Sequence, residues 1–84
     1  MQVQWTSKAL ADLVRLHEFL AVLNKPAPAR MVKSLLAAPA RLLANPRIGV
    51  KLDEFEPREV RPILVGHYEM RYEIAGSALY ILRV

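Results

Sequence analysis

Eighty-four residues, 54% of them hydrophobic and 24% charged, predict one small domain over residues 1–84 with a core near the lower limit for independent folding and apolar surface to spare for a partner. The lack of cysteine excludes disulfide staples and thiolate metal sites; with no run near the roughly 20 apolar residues of a membrane span and no basic start in Met1-Gln2-Val3-Gln4, a cytoplasmic chain without membrane contact is expected. The net charge of +4 is uneven, because residues 1–50 hold seven Lys/Arg against two acids and residues 51–84 hold five against six, so the basic field lies in the first half and suits nucleic acid or an acidic protein segment equally.

Gln2-Val3-Gln4-Trp5 alternates with the period of a half-buried strand, and Thr6 or Ser7 offers an N-cap to a helix from Lys8 to about Leu23. Leu10, Leu13, Leu16, Leu20 and Leu23 fall in one arc at about 100° per residue and predict its buried face. His17 lies within that arc and reads as a core-edge histidine. Lys8, Asp12, Arg15, Glu18, Phe19 and Val22 fall on the other side.

The stretch Asn24 to Pro28 ends the helix, and Pro28 suits the first position of the next one. The second helix carries an apolar stripe of Val32, Leu35, Leu36, Leu42 and Leu43 and should pack antiparallel on the first. Pro39 lies on that stripe, where its ring clashes with the carbonyl four residues back, so a kink or a split into two helices is expected. Arg30, Lys33 and Arg41 project within roughly an 80° arc opposite the stripe. This is a solvated helix face or an electrostatic footprint for an acidic partner.

Asn45-Pro46 closes the helical region, and Val50 to Phe55 reads as a loop or short strand before an acidic group of Asp53, Glu54, Glu56 and Glu59. From there on the pattern is strand and turn. Val60 to Val65, Tyr68 to Ile74 and Ala78 to Val84 are separated by Gly66-His67 and Gly76-Ser77, both with the Gly-X composition of type II′ hairpins. Tyr68, Met70, Tyr72 and Ile74 share the face expected to meet the helices, opposite Glu69, Arg71 and Glu73. Pro62 removes a ladder donor and favours an edge position. The fold class is therefore α+β: an N-terminal strand, an antiparallel helical hairpin and a three-stranded antiparallel meander, with the helices on one sheet face.

Few residues could carry chemistry. There is no His-Glu helical pair and no glycine-rich phosphate loop, so neither metal nor cofactor is expected. Metal-free RNA cleavage would have to draw on Arg61, Arg71, Arg83, Tyr68, Tyr72 and Tyr80. Glu69 and Glu73 flank Arg71 on one face of the strand, which predicts a guanidinium neutralised by its neighbours.

Taken together and in this order, Trp5-Thr6 with Ala9-Leu10-Ala11-Asp12-Leu13, then Asn45-Pro46-Arg47-Ile48-Gly49, Pro57-Arg58-Glu59-Val60-Arg61 and Tyr68-Glu69-Met70-Arg71-Tyr72-Glu73-Ile74 resemble the RelE/ParE toxins of type II toxin-antitoxin modules, and the ParE-like branch in particular. RelE-type members are ribosome-dependent mRNA endonucleases that use basic residues on the exposed sheet face and near the carboxyl end, with a tyrosine close by. One of those basic positions falls at Glu69 here, reversing the charge. ParE-type members lack that set and inhibit DNA gyrase. The resemblance thus implies a non-enzymatic toxin with gyrase as target and no catalytic residues, its target contacts drawn from Arg61, Arg71 and Arg83. The runner-up is a RelE-like endonuclease, and a third reading is a degenerate toxin that serves only to complex its antitoxin. Many relatives continue past the last strand with a polar or basic tail, where this sequence ends at Val84.

The resemblance also implies a cognate ParD-like antitoxin and contact with operator DNA only through that complex, without specific DNA binding of its own. Phe19 and Val22 have no evident intramolecular place. They are incidental surface residues or part of an antitoxin-binding strip together with Arg15, Arg30, Lys33 and Arg41, a basic setting suited to an acidic tail.

Overall fold

The computed structural model describes residues 1–23 and 27–84. A strand β1 (Gln2–Trp5) leads into helix α1 (Ser7–Leu23), followed by α2 (Ala27–Ala37), α3 (Pro39–Ala44) and a single 3-10 turn at Asp53–Phe55; strands β2 (Glu59–Val65), β3 (Tyr68–Ala75) and β4 (Ala78–Arg83) complete the chain. The four strands form one sheet in the order β1-β4-β3-β2. Strands β2, β3 and β4 are the expected antiparallel meander, while β1 lies parallel to β4, Gln2 opposite Ala78 and Trp5 opposite Ile81. No helix is long and apolar enough to cross a membrane among the described residues.

Local chemistry sets the boundaries. The Thr6 hydroxyl accepts from the Ala9 N–H at 3.2 Å and donates to the Ile81 carbonyl at 2.8 Å, so one side chain caps α1 and pins its start to β4. Pro39 splits the second helical segment as expected, with Ala38 as the break and Pro39 opening α3. The predicted end of the first helix at Asn24, Lys25 and Pro26 lies outside the described residues. Both hairpins close over two residues, with φ of +62° at Gly66 and +59° at Gly76 and no positive φ at any other described residue, the pattern of a type II′ turn. Pro62 sits in β2, an edge strand, where a missing N–H costs no ladder bond.

The core forms where the helices meet one sheet face. Met70, Tyr72, Leu79 and Ile81 from the sheet and Ala9, Leu35 and Leu42 from the helices are fully buried. Strand β3 follows the predicted alternation, with Met70, Tyr72 and Ile74 buried and Tyr68 packed against them. Helix α1 departs from its predicted arc. Leu10 and Leu23 are 47% and 66% exposed, whereas Ala9, Asp12 and Leu13 are buried. The helix is rotated because the small Ala9 permits close approach to the sheet and Asp12 finds cationic partners there. Consistent with that rotation, His17 is exposed and not at the core edge. Leu36 and Leu43, expected on the buried stripe, are also about half exposed.

Tyr72 links the sheet to the segment after α3. Its hydroxyl donates to the Pro46 carbonyl at 2.7 Å and accepts from the Gly49 N–H at 3.3 Å, and burial raises its pKa above the ordinary phenol value. Gly49 is required at this crossing, since an added Cβ would overlap the Pro62 carbonyl oxygen. Replacing Tyr72 by Phe strands a buried N–H and a carbonyl. Urea unfolding of Tyr72→Phe should show a loss of about 1–3 kcal/mol with an unchanged m value.

Candidate functional site

The three arginines expected to meet a target do not all share one site. Arg61 lies opposite Tyr72 in the β2–β3 register and so shares the helix-facing side of the sheet. It donates to Glu59 at 3.0 Å and to the carbonyls of Gly49 and Arg47, and its side chain is only 15% exposed. Glu59 also accepts from Arg47 at 2.9 Å. Burial pushes the Glu59 carboxyl up, but Arg47 and Arg61 together hold it below the ordinary value. This cluster carries the loop over the end of β2.

Arg71 occupies the opposite face. Its Nε donates to Glu69 at 2.9 Å, and its guanidinium lies 5.9 Å from the Phe55 ring centroid. Glu73 does not join it. Arg58, fifteen residues away in sequence, binds both Glu73 oxygens at 3.1 and 2.9 Å and approaches the same Phe55 ring at 6.0 Å. The expected double flanking of Arg71 is thus corrected to a single acidic partner, because a cation from the chain entering β2 competes for Glu73. The sheet face left open by the helices is partly covered by Phe55 and these two guanidinium groups.

Arg83 ends β4 and reaches α1. The Asp12 carboxylate accepts from Arg83 Nε at 2.8 Å and from its terminal nitrogen at 3.1 Å, from the Val84 N–H at 3.0 Å, and from Arg15. The Arg83 bidentate bond is the main reason that the Asp12 pKa falls to about 2; burial opposes it, and Val84 and Arg15 assist. Asp12 was expected on the solvent side of α1, with Arg15, Phe19 and Val22. Periodicity gave no sign of its place, and only the isolated acid within the apolar run Ala9 to Leu16 could have hinted at it.

His67, Tyr68, Glu69, Arg71, Arg83 and Val84 surround one open hollow of about 430 Å³. Two of the three arginines therefore converge after all, beside an imidazole and a phenol, each guanidinium already carrying a carboxylate. Arg61, Tyr72 and Tyr80 do not line it. Among the described residues no three His, Asp or Glu side chains gather as a metal site.

The residues expected to bind an antitoxin divide in two. On α1, Phe19 and Val22 are 61% and 85% exposed, and Arg15 is tied to Asp12. Arg30, Lys33 and Arg41 are exposed on α2 and α3. Arg30 and Arg41, but not Lys33, border hollows between these helices and the β2–β3 hairpin, a feature that the sequence pattern did not disclose.

Residues 3–84 match a family model described as the ParE toxin of the type II toxin-antitoxin system, parDE. The chain is 32% identical over 83 residues to Toxin RelE2 of Caulobacter vibrioides, covering 99% of this chain and 91% of that protein. A solved structure described as a chromosomal ParDE TA system from P. aeruginosa superposes with a TM-score of 0.81 at 24% identity, over 99% of this chain and 91% of that one. At that identity the likeness concerns the fold.

Asp12 generates a pH prediction of definite sign. Its folded pKa lies below the ordinary carboxylate value, so its stabilisation is complete above about pH 4 and is lost as pH falls toward 2. Asp12→Asn should lose about 1–3 kcal/mol at pH 7. Thermal melts between pH 2 and pH 5 should show a shallower acid limb in the variant than in the native chain.

Proposed function

The chain belongs to the ParE toxin family of type II toxin-antitoxin systems, and we propose that all of residues 1–84 serve as one toxin domain that acts by binding, with cytoplasmic DNA gyrase as its target and a cognate acidic antitoxin as its neutraliser. The observation that carries this reading is the commitment of each candidate arginine to protein acceptors. Arg61 is nearly buried and supports a loop, Arg83 is clamped by Asp12, and Arg71 carries Glu69. A phosphodiester transition state needs preorganised positive charge aimed at the developing oxyanion. A docking surface needs only complementary groups that can exchange partners.

Arg71 is the best contact residue for the target. Its ion pair with Glu69 is roughly half exposed, and such pairs contribute about 0–1 kcal/mol, so an incoming acidic group can replace Glu69 at small cost. Arg83 stands at the same hollow with its position fixed from behind. The hollow also favours a second reading, ribosome-dependent mRNA cleavage, because it holds Arg71, Arg83, His67 and Tyr68 together and because a relative at 32% identity is named Toxin RelE2.

The two readings separate in vitro. Under the first, purified protein slows supercoiling by gyrase, and Arg71→Ala weakens inhibition by about tenfold or less, the range of a single rim contact. Under the second, supercoiling is untouched and primer extension on translated message reveals new 5′ ends that disappear in Arg83→Ala. Normal growth on overexpression without antitoxin, with neither activity, would instead mark a chain that only complexes its antitoxin.

A further inference from the structure

The sheet has two edges, and only one is guarded. At the β2 edge Pro62 offers no N–H, Gly49 lies against its carbonyl, and the Leu52 N–H takes the Val60 carbonyl at 2.8 Å. A proline and a covering segment are two of the devices that keep an edge strand from pairing with another chain. The β1 edge has neither. Gln2–Trp5 contains no proline and no charged residue, and among the described elements β4 is the one in extensive contact with it.

The bonds of β1 to β4 fix which of its main-chain groups are left over. Gln2 and Thr6 donate to the carbonyls of Ser77 and Ile81 at 3.0 and 3.1 Å. Residues two apart in a strand point their main-chain groups the same way, so Gln2, Gln4 and Thr6 face β4. Val3 and Trp5 face outward. Among the described residues no other backbone group bonds the N–H or C=O of either one. Two donors and two acceptors thus stand in a row on a bare edge. The side chains of Val3 and Trp5 pack against the core and remain partly exposed, while Gln2 and Gln4 are exposed on the opposite sheet face.

We propose that β1 pairs antiparallel with β1 of a second copy of this chain, with the two-fold axis at Gln4, to give one eight-stranded sheet with both helical layers on the same face. In that register Val3 stands opposite the partner's Trp5 and Trp5 opposite the partner's Val3. Each of these pairs exchanges two main-chain hydrogen bonds, so every outward group of both strands is satisfied. On the helix side a branched aliphatic side chain then lies beside an indole, a favourable cross-strand pair. On the open side Gln4 meets its own copy across the axis, at the short Cα separation of a non-hydrogen-bonded pair, and a primary amide both donates and accepts.

Charge selects this occupant. A foreign acidic or basic segment finds nothing on β1 to recognise, whereas a neutral, self-complementary strand can meet its own copy with no like charges at the axis. Size sets the strength. Four residues from each copy fall well short of the about 1,200–2,000 Å² that stable interfaces bury, so the dimer is weak and reversible, with a Kd of about 10–100 μM. The proposal depends on neither the target nor the antitoxin of the toxin reading.

Sedimentation of the full chain alone, from concentrations below that Kd to about tenfold above it, should show a monomer–dimer equilibrium. Because Gln4 is exposed, Gln4→Lys and Gln4→Asp should match the native chain in circular dichroism and Tm. Each variant sets two like charges against each other across the axis and should weaken self-association by about tenfold or more. An equimolar mixture of the two should restore a dimer, a rescue that a role of Gln4 within the monomer would not produce. Trp5 is the sole tryptophan and gives a second readout on the native protein: its emission should shift to the blue, and the Val3 and Trp5 amides should exchange more slowly, as concentration rises. A chain that stays monomeric throughout, or a dimer indifferent to both Gln4 variants, would overturn the proposal. So would protection of the Val3 and Trp5 amides only in a complex with the antitoxin, which would assign the edge to that partner.

Discussion

A carboxylate on the inner face of α1 governs how the helical hairpin lies on the sheet. Asp12 accepts hydrogen bonds from two arginines and one backbone N–H while almost wholly buried. An ionised group in that position demands close cationic partners, and Arg83 at the end of β4 supplies the main one. The helix must therefore present Asp12 to the last strand, and the rest of its orientation follows. Ala9 and Leu13 go inward, whereas Leu10, Val14 and Leu23 remain at the surface. The same bond fixes Arg83 at the edge of the arginine hollow. One interaction thus sets the packing of the hairpin and the posture of a cation at the hollow.

The arginines of this chain differ in how far they are committed, and burial decides the difference. The pair of Arg61 with Glu59 has side chains 15% and 22% exposed, against 40% and 47% for Arg71 with Glu69. Breaking the first leaves a poorly hydrated charge, and loss of Arg61 also leaves two loop carbonyls without their donor. Opening the second returns both groups to water. Arg61 is therefore part of the scaffold that carries the Pro46–Gly49 crossing, and Arg71 is available for exchange. Exchange serves docking better than catalysis, because a pair that must first open is not preorganised toward a transition state.

Local pattern made much of this legible. The alternation of Tyr68 to Ile74, the glycines that close two-residue turns, the proline that splits the second helical segment and the proline at the sheet edge each depend on residues within one or two turns of chain, and each appears in the structure. What escaped was decided between distant partners. Periodicity cannot report that Arg58 takes Glu73 from Arg71, nor that Asp12 has a counterion 71 residues later. The parallel seat of β1 beside β4 is likewise a matter of which edge is free once the meander has formed. The hollows beside β2 are further removed, since they arise from the space that α2 and α3 leave there and have no motif of their own.

The arginine hollow meets a second hollow, lined by Leu20, Arg30, Met31 and Ser34, at His67 and Tyr68. The two cations at the first differ in how they are held. Arg83 is bound by the nearly buried Asp12 of the first half of the chain, whereas Arg71 is bound by the half-exposed Glu69 two residues away, a pair that opens at small cost. The charge asymmetry of the chain has a structural counterpart. The basic excess lies in the half that carries α2 and α3, where Arg30, Lys33 and Arg41 are exposed, while Glu56, Glu59, Glu69 and Glu73 of the second half pair with Lys51, Arg47, Arg61, Arg71 and Arg58.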